Sequence, residues 1–256
     1  MFELFICLLA GIGAGLGTGF AGMSAAAVIA PMLITFLGVD SYHAVGIALA
    51  SDVLASAVSA ETYRRHKNLD VKNGLVMMIC VLLFTVVGSF IASLVPPRTM
   101  GSFSTSMTML LGVKFLVRPV MTTKDSMAAV SRKKRIVQSI LCGSGVGFIC
   151  GFIGAGGGMM MLLLLTGVMG YELKTAVGTS VFIMAFTALT GSASHFVIGG
   201  MPNRPIQLIL CVVFTLIFAL LAAKIANRSK PEVLNRVVGV ILVLLGAAIL
   251  AVNFLK

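Results

Sequence analysis

Charge is what this chain has least of. Asp, Glu, Lys and Arg make up 11% of its 256 residues, against about 25% in soluble domains. With 59% hydrophobic residues and a mean hydropathy of +1.09, an integral membrane protein is the class that remains. Tryptophan is absent and there are three tyrosines. Tyr42, Tyr63 and Tyr171 stand at the borders of apolar segments, a thin aromatic belt. The five cysteines (Cys7, Cys80, Cys142, Cys150 and Cys211) lie in apolar stretches without paired spacing. That excludes a disulfide framework and leaves no Cys/His metal cluster, so packed thiols are the reading. No cofactor is implied. No nucleophile–base pair supports an enzyme. The glycine-rich stretches lack a following Gly-Lys-Ser/Thr and a surrounding βαβ unit, which rules out a phosphate loop. Met1-Phe2-Glu3 has no basic flank and no small-residue cleavage site follows, so no removable signal peptide is expected.

The net charge of +11 raises nucleic acid as a partner, but the distribution argues against it. Basic residues fall in three clusters between apolar segments, around Arg64 to Lys72, Arg118 to Arg135 and Lys224 to Arg236. Loops of this kind face the cytoplasm and its lipid headgroups. Ten apolar segments can be drawn, roughly 2–22, 23–37, 42–63, 73–95, 99–117, 136–157, 158–169, 174–198, 205–224 and 234–254. Most reach the ~20 residues a spanning helix needs. Segments 23–37 and 158–169 do not, at about 22 and 18 Å; they read as short, broken or re-entrant elements. With both termini outside, every Lys and Arg except Arg98, Lys114, Arg204 and Lys256 lies in an inner loop, including the central loop 118–135. Lys114 lies near the inner end of its span.

The two halves repeat each other. Residues 13–46 align with 145–178 without a gap, at an offset of 132 residues with ten identities. The coincident residues are mainly glycines, among them Gly15/Gly147, Gly22/Gly154, Gly38/Gly170 and Gly46/Gly178. Each half starts on the opposite side of the membrane from the other. Duplication with matched helix breaks and opposite orientation is the mark of a secondary transporter. The expected fold is therefore an all-α polytopic membrane protein of two inverted repeats, with 8–10 helical segments. Residues 1–118 form the first repeat, 119–135 a basic cytoplasmic linker and 136–256 the second repeat. A homodimer is a possible assembly.

Chemistry concentrates at the breaks. The run 151–158, Gly-Phe-Ile-Gly-Ala-Gly-Gly-Gly, makes a poor helix interior, since each glycine costs about 1 kcal/mol relative to alanine. The spaced glycines (Gly11, Gly15 and Gly19; Gly147 and Gly151) suit close helix packing. The triple Gly156-Gly157-Gly158 suits an unwound anion site, with free N–H groups and the positive end of the next half-helix. Gly178, Thr179 and Ser180 open another span; their hydroxyls serve either an anion or a helix carbonyl. Asp52 lies mid-span, on one helical face with Ser56, Ser59 and Tyr63. An ionisable group at that depth marks function, as a proton carrier or an organiser of nearby hydroxyls. Its repeat counterpart is Met184. His195, counterpart of Tyr63, reads either as a gate or as an interface histidine.

The motifs 147–158 and Ala176-Val177-Gly178-Thr179-Ser180, with a weaker first-half copy, resemble the TauE/SafE sulfite exporter family over essentially the whole chain. The resemblance implies a multi-pass carrier in the prokaryotic inner membrane, moving sulfite, sulfoacetate or another small sulfur-containing anion, more often outward. It carries substrate contact onto Gly154, Gly156, Gly157, Gly158, Gly178, Thr179 and Ser180. In the first half Gly22, Ser24 and Ser51 take the matching places, although Met23-Ser24-Ala25-Ala26 replaces a glycine triple and Gly46-Ile47-Ala48 replaces Gly-Thr-Ser. Coupling or gating falls to Asp52, Ser56 and His195. A carrier of a carboxylate or a cation, coupled to protons through Asp52, and a non-transporting scaffold are the alternatives.

Overall fold

Long apolar runs leave the backbone no partner but itself, so the chain is helical, and glycine or proline marks several of the helix ends. The computed structural model describes residues 1–92, 113–153, 157–202 and 204–254. Their order is α1 (Phe2–Ala21), α2 (Ala26–Leu37), α3 (Ser41–Arg65), α4 (Val71–Ala92), a short α5 (Lys124–Ala128), α6 (Arg132–Ile153), α7 (Gly157–Gly167), α8 (Leu173–Gly199), α9 (Pro205–Arg228) and α10 (Pro231–Phe254). Residues 113–117 are also helical. The rest of the expected segment 99–117, with Arg98, lies outside the described residues, as do Gly154, Gly156 and Lys256. Among the described residues there is no strand.

Five of these helices are long and apolar enough to cross a bilayer: Phe2–Ala21, Ser41–Arg65, Val71–Gly88, Leu173–Val197 and Pro205–Arg228. The protein is thus all-α and multi-pass. The expected short segments are short helices, 12 residues in α2 and 11 in α7. Both end in the same turn. Gly38 and Gly170 each adopt φ 63°, where a side chain would be strained. Behind them the Leu33 and Leu165 carbonyls accept from the N–H of Val39 (3.2 Å) and Tyr171 (2.8 Å). These pairs of residues are all 132 apart. Asp40 then caps α3, accepting from the N–H of Tyr42 at 2.9 Å. The His43 ring and that N–H hold the Asp40 carboxyl below the usual carboxylate range.

Packing is inverted relative to a soluble protein. On α9 the large apolar residues Ile206, Ile209, Val213, Ile217 and Leu221 point outward at helical spacing, while Gln207, Cys211, Thr215, Ala219 and Ala222 are buried. Lipid is a suitable solvent for the first set, and small residues let helices approach. The spaced glycines serve that approach, as the packing reading expects. A Cβ on Gly15 would lie 2.7 Å from Phe218 Cβ, and one on Gly19 2.5 Å from Ala222 Cβ, so α1 lies backbone-close on α9. Gly143 and Gly147 do the same for α6 against Met77 and Val81 of α4. The helix pairs cross between the halves: α1 with α9, α4 with α6, and α3 with both α8 and α9. Applying the 132-residue offset to the pair α1–α9 gives α6–α4, and applying it to α9–α3 gives α4–α8, which also touch.

Candidate functional site

The two helix breaks meet. α1 ends at Gly22 in the left-handed region (φ 60°), and the chain turns through Met23–Ala25 into α2. Thr18 steadies the turn by donating to the Met23 carbonyl at 2.8 Å. The start of α7 lies directly against it. A Cβ on Gly158 would overlap the Gly22 carbonyl, stand 2.5 Å from Met184 Sδ and lie 3.1 Å from the Ser24 nitrogen. A Cβ on Gly22 would strike the Ser180 hydroxyl. Only glycine permits this juxtaposition.

Asp52 completes the turn. It is 1% exposed, and its carboxylate accepts from Ser24 Oγ at 2.6 Å and Ser56 Oγ at 2.8 Å. Ser24 Oγ itself accepts from the Ala26 N–H at 3.3 Å. The carboxylate therefore sits at the N-terminus of α2, where free N–H groups and the helix dipole favour negative charge. The protein's own carboxyl group holds that position. At the second break the offset counterpart of Asp52 is Met184, which carries no charge.

A cavity of about 280 Å³ opens between the two helix starts. Its polar lining comes from Ser24, Asp52, the Gly157–Gly158 backbone, Thr85, Thr187 and His195, and its apolar lining includes Leu49, Val81, Val146, Met161 and Ile183. Along α8 the wall runs Met184, Thr187, Ala188, Gly191, His195, a single helical face with a length of about 16 Å at 1.5 Å per residue. The cavity thus extends from the breaks toward the Gly199 end of α8.

The opposite end is sealed. Tyr63, fully buried, donates to the Gly19 carbonyl at 2.9 Å. Gly178 packs so tightly that a Cβ would overlap the Asn68 carbonyl and stand 2.8 Å from Tyr63 Cβ. Asn68 donates to Asn227 at 2.6 Å, Lys174 to the Asn227 carbonyl at 3.0 Å, and the Asp70 N–H to Thr179 Oγ1 at 3.2 Å. Tyr171 donates to Asp70 at 2.8 Å, with the Arg135 guanidinium 4.6 Å from its ring centroid. Burial and the Asp70 charge push the Tyr171 phenol upward, so it remains a donor.

Of the residues singled out from sequence, Ser24, Asp52, Gly157, Gly158 and His195 line the cavity, with Ser56 directly behind Asp52. Gly22 forms the turn against them. Gly178 and Thr179 belong to the seal. Ser180 donates to the Val177 carbonyl at 2.9 Å and Ser51 to the Ile47 carbonyl at 2.9 Å, so both hydroxyls are bonded to their own helices. Ser59, on the Asp52 face, keeps a buried hydroxyl with no partner among the described residues. Thr85, Cys150 and Thr187 were not anticipated. Thr187 stands at a helical spacing from Met184 and His195, a periodicity that marks it; Thr85 and Cys150 enter through contacts between distant helices.

Paired breaks around a sealed-at-one-end cavity define a polytopic membrane transporter. The sequence profile of the family described as "Sulfite exporter TauE/SafE" matches residues 7–249, and the chain belongs to that family. Similar proteins include the probable membrane transporter protein YunE of Bacillus subtilis, 25% identical over 76% of this chain and 78% of its own length. Another is the probable membrane transporter protein MJ0441 of Methanocaldococcus jannaschii, 25% identical over 91% of this chain and 87% of its own. YdhB of B. subtilis, also a probable membrane transporter protein, is 23% identical over 86% of this chain.

Proposed function

We propose that this transporter moves a small sulfur-containing anion across the prokaryotic inner membrane, outward, by alternating access between two inverted repeats. The observation that carries the reading is the open α7 start at the cavity, facing an α2 start that Asp52 already holds. The backbone around Gly157 and Gly158 offers N–H donors and the positive end of a half-helix to an oxyanion. Ser24 lies at the edge of the seat, with its hydroxyl proton given to Asp52. Gly22 forms the turn beside this seat, whereas Gly178 and Thr179 lie in the seal and Ser180 and Ser51 bond to their own helices. The exchange of helix pairs under the 132-residue offset and the matched turns at Gly38 and Gly170 support the inverted repeat. Basic clusters at the sealed end support a cytoplasmic placement of that end and an outside placement of both termini.

The cavity far exceeds the about 10–15 Å³ that one water requires, and its walls are largely apolar. An organic sulfonate, with a carbon body against Val146, Met161 and Ile183, uses that lining better than bare sulfite. Export needs no coupling ion, since each negative charge leaving an inside-negative cell gains about 2.3 kcal/mol per 100 mV. Import needs one, and Asp52 is then the proton carrier.

The test is thermal stabilisation of the purified protein by sulfite, sulfoacetate, taurine, thiosulfate, sulfate and small carboxylates. At a hundredfold excess over Kd a ligand adds about 2.7 kcal/mol. Selective stabilisation by a sulfur anion, lost on filling the seat with Gly157→Leu, is expected. Stabilisation by cations or carboxylates alone would overturn the reading.

A further inference from the structure

We infer that His195 is the outer latch of the transport cycle: when the cavity closes to the outside, its imidazole donates to the Gly151 carbonyl of α6, as Tyr63 now donates to the Gly19 carbonyl of α1. This rests on the alternating-access reading above. The observations are geometric. Tyr63 and His195 stand 132 residues apart, and so do Gly19 and Gly151, and Gly46 and Gly178. Each aromatic position lies against the paired glycine of the opposite helix. A Cβ on Gly178 would be 2.8 Å from Tyr63 Cβ, and one on Gly46 would be 3.3 Å from His195 Cβ. At both ends, then, α3 and α8 are already in place. What differs is the third partner. Tyr63 reaches α1 and the path is sealed there. His195 Nδ1 is buried with no hydrogen-bond partner among the described residues, and its residue lines the cavity instead. Its ring is held by a tilted contact with the Tyr42 ring, centroids 4.3 Å apart.

A buried polar atom without a partner is costly. Here the missing acceptor is supplied if α6 and α7 move in on α8, which also eliminates the cavity. Closing outside and opening inside thereby exchange one hydrogen bond for its counterpart. The imidazole is shorter than the tyrosine side chain, so α6 must approach α8 more closely than α1 now approaches α3.

Cys150 lines the cavity and reports its openness. The experiment is the rate at which a membrane-impermeant methanethiosulfonate labels Cys150 in the full-length protein, read by peptide mass spectrometry, with Cys150→Ser as the blank. Tyr63→Phe removes the inner bond and is expected to slow labelling by up to about fivefold, the weight of one hydrogen bond in the equilibrium. Adding His195→Phe, which keeps a ring against Tyr42, restores the rate. Adding His195→Tyr instead slows it further. Labelling that stays slow in Tyr63→Phe/His195→Phe overturns the outer latch while leaving alternation and the anion seat intact. An unchanged rate in Tyr63→Phe alone removes the latch pair altogether. Neither result depends on which anion binds, so the substrate reading stands or falls separately.

Discussion

Asp52 offers the sharpest test of the site, because its two neighbours predict opposite outcomes for two small substitutions. In Asp52→Ala the hydroxyls of Ser24 and Ser56 lose the acceptor they hold at 2.6 and 2.8 Å. A buried polar group left unsatisfied costs about 1–3 kcal/mol, so the pair costs roughly 2–6 kcal/mol. At about 2–4 °C per kcal/mol for a chain of this size, the melting temperature falls by roughly 4–24 °C. In Asp52→Asn the amide oxygen still accepts one hydroxyl and the amide nitrogen donates to the other. The expected loss is under about 1 kcal/mol, a few degrees. Charge gives a second readout. Two like charges about 8–16 Å apart at an effective dielectric of about 20 repel by roughly 1–2 kcal/mol. Removing the carboxylate charge from the cavity should then tighten anion binding about 5–30-fold in Asp52→Asn. Thermal unfolding with and without ligand measures both. The reasoning is refuted if the Asn variant melts as low as the Ala variant, or if anion affinity is unchanged in it.

Other sites give simpler tests. A Cβ at Gly157 meets only Cys150, with Sγ at 2.8 Å, whereas one at Gly158 meets the Gly22 backbone and Met184. Gly157→Ala should therefore fold but bind anion weakly, while Gly158→Ala should lower the melting temperature by pushing the breaks apart; equal melting temperatures would contradict this. Asn235, fully buried, accepts from the Val120 N–H at 2.8 Å and donates to its carbonyl at 2.9 Å. Asn235→Leu strands both backbone groups and should cost about 2–6 kcal/mol, seen as a lower melting temperature with ligand affinity retained. Ser180→Ala removes a bond to its own helix and should change anion affinity less than threefold, whereas Ser24→Ala should change it more. The reverse ranking would move the seat toward α8.

What the sequence reveals follows the range of each interaction. The helices, their breaks and the packing glycines are local or periodic, so the segments 23–37 and 158–169 appear as α2 and α7 within a few residues. The Asp52–Ser56 bond is equally legible, because four residues on a helix bring side chains together. The Ser24–Asp52 bond is not, since it joins residues 28 apart across a turn. The hydroxyls of Thr179 and Ser180 show the limit most clearly. Their spacing allows an anion or a backbone carbonyl, and only the approach of the 66–70 loop and of Gly22 decides where each one points. The seal at Tyr63, Asn68 and Asn227 is invisible for the same reason, as Asn68 and Asn227 lie 159 residues apart.

The most informative departure from symmetry is also chemical. A duplicated protein with two equivalent half-helix starts would present two anion seats facing each other, and two bound anions would repel at close range. Here one start is closed by Asp52, tied through Ser24 and backed by Ser56, while the equivalent place in the other half is an uncharged methionine. In the proposed mechanism a negative charge on Asp52 at one start leaves the other start as the seat for a mobile anion. The same charge raises the free energy of the bound anion and favours its release, which a carrier needs as much as binding. That logic makes Asp52→Asn a variant that binds more tightly yet turns over more slowly. In proteoliposomes loaded with sulfoacetate, efflux measured at saturating substrate should fall while the Kd falls. Faster efflux together with tighter binding would mean that release is not limited by this repulsion.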